Sequence, residues 1–187
     1  MSFAGNDILG RFPTELGRLT NLQEFSAGFT LLTGSLPSEV ARLEKIKRFD
    51  LANAALSGTI PEELYAAHFP DVIALILSYN NFTGTISSSI GLMNPVGYLY
   101  FSGNLGLVGS IPTEIGLLTG LRKLHIHESG LSGTIPTELC ELRRNSLLTV
   151  INADCFEASN TGNIPTPCPA SCCTKCCDRD TGICEKL

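Results

Sequence analysis

A glycine-centred pentad recurs six times along the chain: LGRFP at 9–13, TGSLP at 33–37, SGTIP at 57–61, TGTIS at 83–87, VGSIP at 108–112 and SGTIP at 132–136. Its glycines, Gly10, Gly34, Gly58, Gly84, Gly109 and Gly133, follow one another at intervals of 24, 24, 26, 25 and 24 residues. A unit of that length cannot enclose a core. It buries its apolar edge only by stacking on the next unit, so the chain must coil as a solenoid. With 43% of its 187 residues hydrophobic, the chain carries enough apolar surface to fill such a stack.

The best-formed unit runs Val72-Ile-Ala-Leu75-Ile-Leu77-Ser-Tyr-Asn80-Asn-Phe82-Thr-Gly84-Thr-Ile86. Its alternating part predicts a short strand with the leucines inward. In register, the other strands are expected at 22–27, 46–51, 96–101, 121–126 and 148–153. The asparagine turns the chain, its short amide satisfying loop backbone groups. That position holds Asn80 and Asn104, but Thr30, Ala54 and Ser129 elsewhere. Two extra residues near 68–71 and one after Asn104 belong in surface loops. Extended backwards, the register puts Asn6 on the asparagine position and Phe3 and Met1 on strand positions. The chain is therefore expected to begin within a repeat, as the C-terminal piece of a longer protein with any signal peptide upstream.

All eight cysteines lie from Cys140 onward: Cys140, Cys155, Cys168, Cys172, Cys173, Cys176, Cys177 and Cys184. That concentration indicates an oxidising compartment, hence a secreted or cell-surface protein. The segment 154–187 is too poor in large apolar residues to fold alone. It is expected to be a disulfide-bonded cap on a solenoid spanning 1–153, with at least one bond joining the two. The pairing stays open among 105 connectivities. Cys173-x-x-Cys176 has zinc-ligand spacing, but the crowded doublets favour disulfides over metal.

The repeat resembles the plant-type leucine-rich repeat, LxGxIPxxLxxLxxLxxLxLxxN, over residues 1–153. The resemblance implies a right-handed, curved α/β solenoid with a parallel sheet on the concave face. It further implies a second short strand through the SGxIP segment, and loops, 3₁₀ turns or short helices on the convex side. Members of this family serve as ectodomains of receptor kinases and receptor-like proteins, or as secreted inhibitors of cell-wall-degrading enzymes, and are generally non-catalytic. The tail, with its CCTxCC end, is similar to that of secreted leucine-rich-repeat proteins of microalgae.

Residues between the inward leucines project from the concave sheet and stack into ladders. One ladder is Ser26, Asp50, Ile76, Tyr100, His125 and Asn152; the next is Gly28, Ala52, Ser78, Ser102, His127 and Asp154. Beside them run Glu24, Arg48, Ala74, Tyr98, Lys123 and Val150 on one side, and Phe29, Asn53, Tyr79, Gly103 and Glu128 on the other. The candidate contact residues are Phe29, Arg48, Asp50, Tyr79, Tyr98, Tyr100, Lys123, His125, His127, Glu128, Asn152 and Asp154. Tyrosine is a favoured anchor at such surfaces. The face is expected to be aromatic at one end and hydrogen-bonding at the other, against the alternative of ordinary solvated residues. His125-x-His127 beside Asp154 is read as a solvated pair rather than a metal site. Asn81-Phe82-Thr83 is an N-glycosylation sequon.

The expected role is a non-catalytic recognition module for an extracellular peptide, protein or polysaccharide, needing no cofactor. The alternatives are an inhibitor of a secreted hydrolase and a structural component of a surface or matrix. The chain has no Lys/Arg run to attract nucleic acid, and its longest strictly apolar stretches, such as 72–77, are too short to span a bilayer. No GxSxG, HExxH or phosphate-cradling motif is present. Six strands make a face about 25 Å wide, with an area on the order of 400 Å², sufficient for a peptide or oligosaccharide but short of the roughly 800 Å² of a standard protein interface.

Overall fold

The computed structural model describes residues 1–67, 69–145, 147–154, 172, 173, 175–177 and 184–186. In chain order its strands are β1 (Leu9–Arg11), β2 (Glu24–Ser26), β3 (Leu31–Ser35), β4 (Arg48–Asp50), β5 (Ala55–Thr59), β6 (Ala74–Ile76) and β7 (Asn81–Gly84). There follow β8 (Tyr98–Tyr100), β9 (Gly106–Gly109), β10 (Lys123–His125), β11 (Gly130–Leu131), β12 (Val150–Asp154), β13 (Lys175–Cys177) and β14 (Cys184–Lys186). They form two sheets. The concave sheet has the order β14-β13-β12-β10-β8-β6-β4-β2, and the flanking sheet, through the glycine pentads, the order β1-β3-β5-β7-β9-β11. The expected solenoid, one strand per repeat in each sheet, is what the chain forms.

The concave strands from β2 to β10 are three residues long, where the sequence predicted six. Each centres on one inward residue: Phe25, Phe49, Leu75, Leu99, Leu124 and, in the longer β12, Ile151. The apolar residues ahead of them, such as Ile46, Val72 and Leu121, are buried but precede the ladder. There two successive amides share one carbonyl of the previous repeat: Lys47 and Arg48 donate to Gln23 O, Ile73 and Ala74 to Lys47 O, Gly97 and Tyr98 to Ile73 O. Regular pairing begins only after that shared acceptor.

The asparagines do more than turn the chain. Asn104, fully buried, donates from Nδ2 to Phe101 O at 2.9 Å in its own repeat and to Leu77 O at 3.0 Å in the preceding one. Its Oδ1 accepts from Phe82 N at 3.1 Å. Asn80 repeats the pattern with Leu77 O, Leu51 O and Leu56 N. Thr30 and Ser129 keep the local bond, to Ala27 O and Ile126 O. Asn6 binds Phe3 O and Ala4 O, as the register requires.

The convex side is made of 3₁₀ turns at Thr14–Arg18, Ser38–Arg42, Ser88–Leu92 and Thr113–Leu117, with two short helices, α1 (Glu62–Ala66) and α2 (Thr137–Asn145). Consecutive turns touch through a small residue. A Cβ on Gly17 would lie 2.3 Å from Glu39 O, and one on Gly116 2.5 Å from the Glu138 Cβ. The equivalent position in α1 is Tyr65, 1% exposed, whose hydroxyl has no hydrogen-bond partner. Its repeat is the one lengthened by two residues. The extra length accompanies a phenol in a slot that the other repeats fill with glycine, alanine or cysteine. Burial, and then Glu62, push the Tyr65 phenol far above its ordinary range.

In α2 the same position is Cys140. Its sulfur lies 2.15 Å from that of Cys172, and Arg143 on α2 donates to the carbonyls of Cys172 and, at 2.8 Å, Cys173. The tail then rejoins the concave sheet: β13 pairs parallel with β12, and β14 antiparallel with β13. The boundary expected at 153/154 thus falls inside β12. Cys155, Cys168 and His68 lie outside the described residues, and Cys176, Cys177 and Cys184 are described by backbone position alone.

Two stability predictions follow from these contacts. Asn104→Ala leaves buried amide and carbonyl groups of two repeats unpaired and is expected to cost about 3 kcal/mol or more in denaturant unfolding. Asn104→Ser, which can keep the local bond as Ser129 does, should cost clearly less, and equal losses would remove the inter-repeat role. For Tyr65, a phenol raised in the fold binds its proton more tightly than in the unfolded chain. Its stabilising contribution is full below the ordinary value of 10.0 and is lost as pH rises above it. Tyr65→Phe should remove most of this alkaline loss in melts recorded across that range, and a wild-type pH profile would contradict it.

Candidate functional site

The concave register matches the sequence ladders. Glu24, Arg48, Ala74, Tyr98, Lys123 and Val150 pair in one row, and Ser26, Asp50, Ile76, Tyr100, His125 and Asn152 in the next. On β8 and β10 the rings make one connected run. Tyr98 meets Tyr100 edge-on at 6.4 Å, Tyr100 stacks on His125 at 4.2 Å with 26° between planes, and His125 lies 6.1 Å from His127. Tyr98, Tyr100, Lys123 and His125 are half-buried, and Arg48 is exposed. Burial, then Tyr98, raise the Tyr100 phenol above its ordinary range, while Arg48 acts the other way.

Several residues expected to stand in solvent do not. His127, Asn152 and Asp154 are 7%, 6% and 4% exposed, and form part of the floor. Asn152 and Asp154 lie on β12, which is paired on both sides, by β10 and by β13. Asp154 has a clear structural task, its Oδ1 accepting the Glu128 amide at 2.7 Å. Asp50 similarly accepts the Ala52 amide and pairs with Arg48 at 2.8 Å. His127 Nδ1, Ser102 Oγ and Asn152 Oδ1 are buried without hydrogen-bond partners, and Glu128 Oε1 lies 3.6 Å from His127 Nδ1.

Phe29, Tyr79 and Glu128 belong to a flanking row whose backbone conformation the ladder pattern did not reveal. Phe29, Asn53, Tyr79 and Glu128 have φ of 55°, 54°, 56° and 53°, and Gly5 and Gly103 occupy the same place at 72° and 69°. The left-handed conformation is costly for a bulky side chain. Yet Phe29 is 66% exposed and Tyr79 44%, so packing does not demand an aromatic there. The recurrence of Gly, Asn and Gly at this place was the available signal. Tyr79 lies over Gly103 so closely that a Cβ there would sit 2.3 Å from its ring. Burial, then Glu128, raise the Tyr79 phenol. Asn81 and Thr83 of the sequon are exposed on β7, with Phe82 between them fully buried.

Residues 72–93 match the sequence model of the Leucine Rich Repeat family. The chain is 42% identical over 73 residues, 38% of its length, to the LRR receptor-like serine/threonine-protein kinase GSO2 of Arabidopsis thaliana. It spans 6% of that relative, so the match transfers no kinase activity. Among solved structures, a TDR receptor superposes with a TM-score of 0.71 at 39% identity, over 74% of this chain and 24% of the receptor. The plant peptide hormone receptor RGFR1, in complex with RGF2, gives 0.73 at 28% identity, over 83% of this chain and 25% of that one. Pollen Receptor Kinase 3 gives 0.68 at 25% identity, over 80% and 68%. The two parallel sheets form a leucine-rich-repeat solenoid, and these matches make it similar to leucine-rich-repeat proteins of the plant type.

The Tyr79–Gly103 contact is open to a direct check. The chain has four tyrosines and no tryptophan, so tyrosine emission reports this face with little background. Gly103→Ala places a methyl group in a left-handed position against the Tyr79 ring. It should cost about 1 kcal/mol or more and change the emission. A variant with wild-type stability and spectrum would mean the ring does not rest there.

Proposed function

We propose that the concave face recognises an extracellular peptide, and that the chain is a non-catalytic ligand-binding part of a secreted or cell-surface protein. The observation that carries this is the connected run Tyr98–Tyr100–His125–His127, its first three rings half-buried and the last part of a polar floor on the sheet. Rings held this way contribute large contact area at low entropic cost. Support comes from structural neighbours whose complexes contain peptides: RGFR1 with RGF2, PEPR1 with AtPEP1, and HAESA with the peptide hormone IDA and the co-receptor SERK1. The Cys140–Cys172 link favours an oxidising compartment, with the exposed Asn81 available to a glycan on the flank.

The tail strands bear on what fits. Eight strands rather than six widen the sheet to about 34 Å, enough for an extended peptide of about ten residues lying across it. The test is selection of binders from a random linear peptide library on the disulfide-intact chain, followed by calorimetry on the selected peptides. Tyr100→Ala and His125→Ala should each weaken binding about tenfold or more with the fold retained. Peptides that bind both variants as they bind the wild type would place the site elsewhere, and oligosaccharide binders without peptide binders would replace the ligand class.

A further inference from the structure

On the concave side of β8, β10 and β12, ring-bearing and polar positions make a grid. Tyr100 and Ser102 follow one another on the first strand line, His125 and His127 on the second, and Asn152 and Asp154 on the third. Residues two apart on a strand share a face, so all six belong to one surface. Asp154 is engaged by the Glu128 amide. Ser102, His127 and Asn152 are different. Each is more than nine-tenths buried, and among the described residues Ser102 Oγ, His127 Nδ1 and Asn152 Oδ1 all lack a hydrogen-bond partner. The nearest carboxylate oxygen to His127 Nδ1, Glu128 Oε1, is at 3.6 Å, beyond a hydrogen bond.

Buried polar groups in folded proteins are nearly always paired, because an unpaired one forfeits its hydration without return. Three such groups on neighbouring strands of one face, beside a stacked Tyr100–His125 pair, are therefore not explained by folding. Away from this face Asn80 and Asn104 satisfy their buried amides fully, and among the described residues the Tyr65 hydroxyl is the one other buried side-chain group left unpaired. Resting on the peptide reading above, we infer that Ser102, His127 and Asn152 form a hydrogen-bonding subsite for a main-chain amide of the bound peptide. The chemistry fits that group. Asn152 Oδ1 accepts, a serine hydroxyl both donates and accepts, and an imidazole nitrogen does either, so an N–H and a C=O presented together meet complementary partners. The stacked rings offer the flat apolar surface that a neighbouring peptide side chain covers. Tyr79, whose ring rests on Gly103 next to Ser102, is the side chain on that edge which an incoming peptide meets first.

The distinguishing signature is that these groups serve binding at no benefit to the free fold. Ser102→Ala and His127→Phe should therefore melt no lower than the wild type, while each weakens library-selected peptides at least fivefold. Asn152→Asp keeps the side-chain shape but exchanges the amide donor for an acceptor and adds a charge, so it should also alter affinity. A fall of several degrees in the melting temperature of Ser102→Ala would show that its hydroxyl is bonded in the folded chain and would overturn the inference. Selected peptides that bind all three variants unchanged overturn the subsite alone. A library that yields no wild-type binder overturns the peptide reading and the subsite with it, while oligosaccharide binders sensitive to the same variants would reassign the subsite to sugar hydroxyls.

Discussion

The fold depends on one kind of hydrogen bond, the buried side-chain amide that binds main-chain groups of two consecutive repeats. A solenoid unit has no closed core, so its turns bring polar backbone into the stack where water cannot serve it. Asn80 and Asn104 answer this by joining Leu77 O and Phe101 O to Leu51 O, Leu77 O, Leu56 N and Phe82 N. One residue thus closes its own turn and fastens it to its neighbour. Thr30 and Ser129 close the turn with the local bond, to Ala27 O and Ile126 O. The middle of the array is accordingly its best-tied part, and it is there that the aromatic face is mounted.

Much of this was legible in the primary structure because the signals were periodic. The glycine register placed every concave row correctly, down to Arg48 beside Ala74 and Tyr100 beside His125. What could not be read were properties set by neighbours. Alternation says that His127, Asn152 and Asp154 face away from the core, but not that they are buried. The left-handed column hid behind Phe29, Tyr79 and Glu128, residue types that disfavour it, although Gly5, Asn53 and Gly103 share the position. The Cys140–Cys172 contact joins residues 32 apart, and Arg143 binds carbonyls, which leave no mark on a pattern of side chains.

The two ends of the concave sheet are built on different principles. Toward β2 the stack is filled by phenylalanines, with Phe25 and Phe49 stacked at 5.6 Å and Phe12 against both. Toward β12 the leucine and isoleucine filling gives way to a covalent link, an arginine bound to two carbonyls, and two added strands. The candidate site on β8 and β10 lies between these two kinds of filling.

The left-handed column has a consequence for how such a face changes over time. At Phe29 and Tyr79, glycine would relieve the backbone, so drift in sequence runs downhill toward losing the aromatic ring. An aromatic residue is kept at such a place only against that slope.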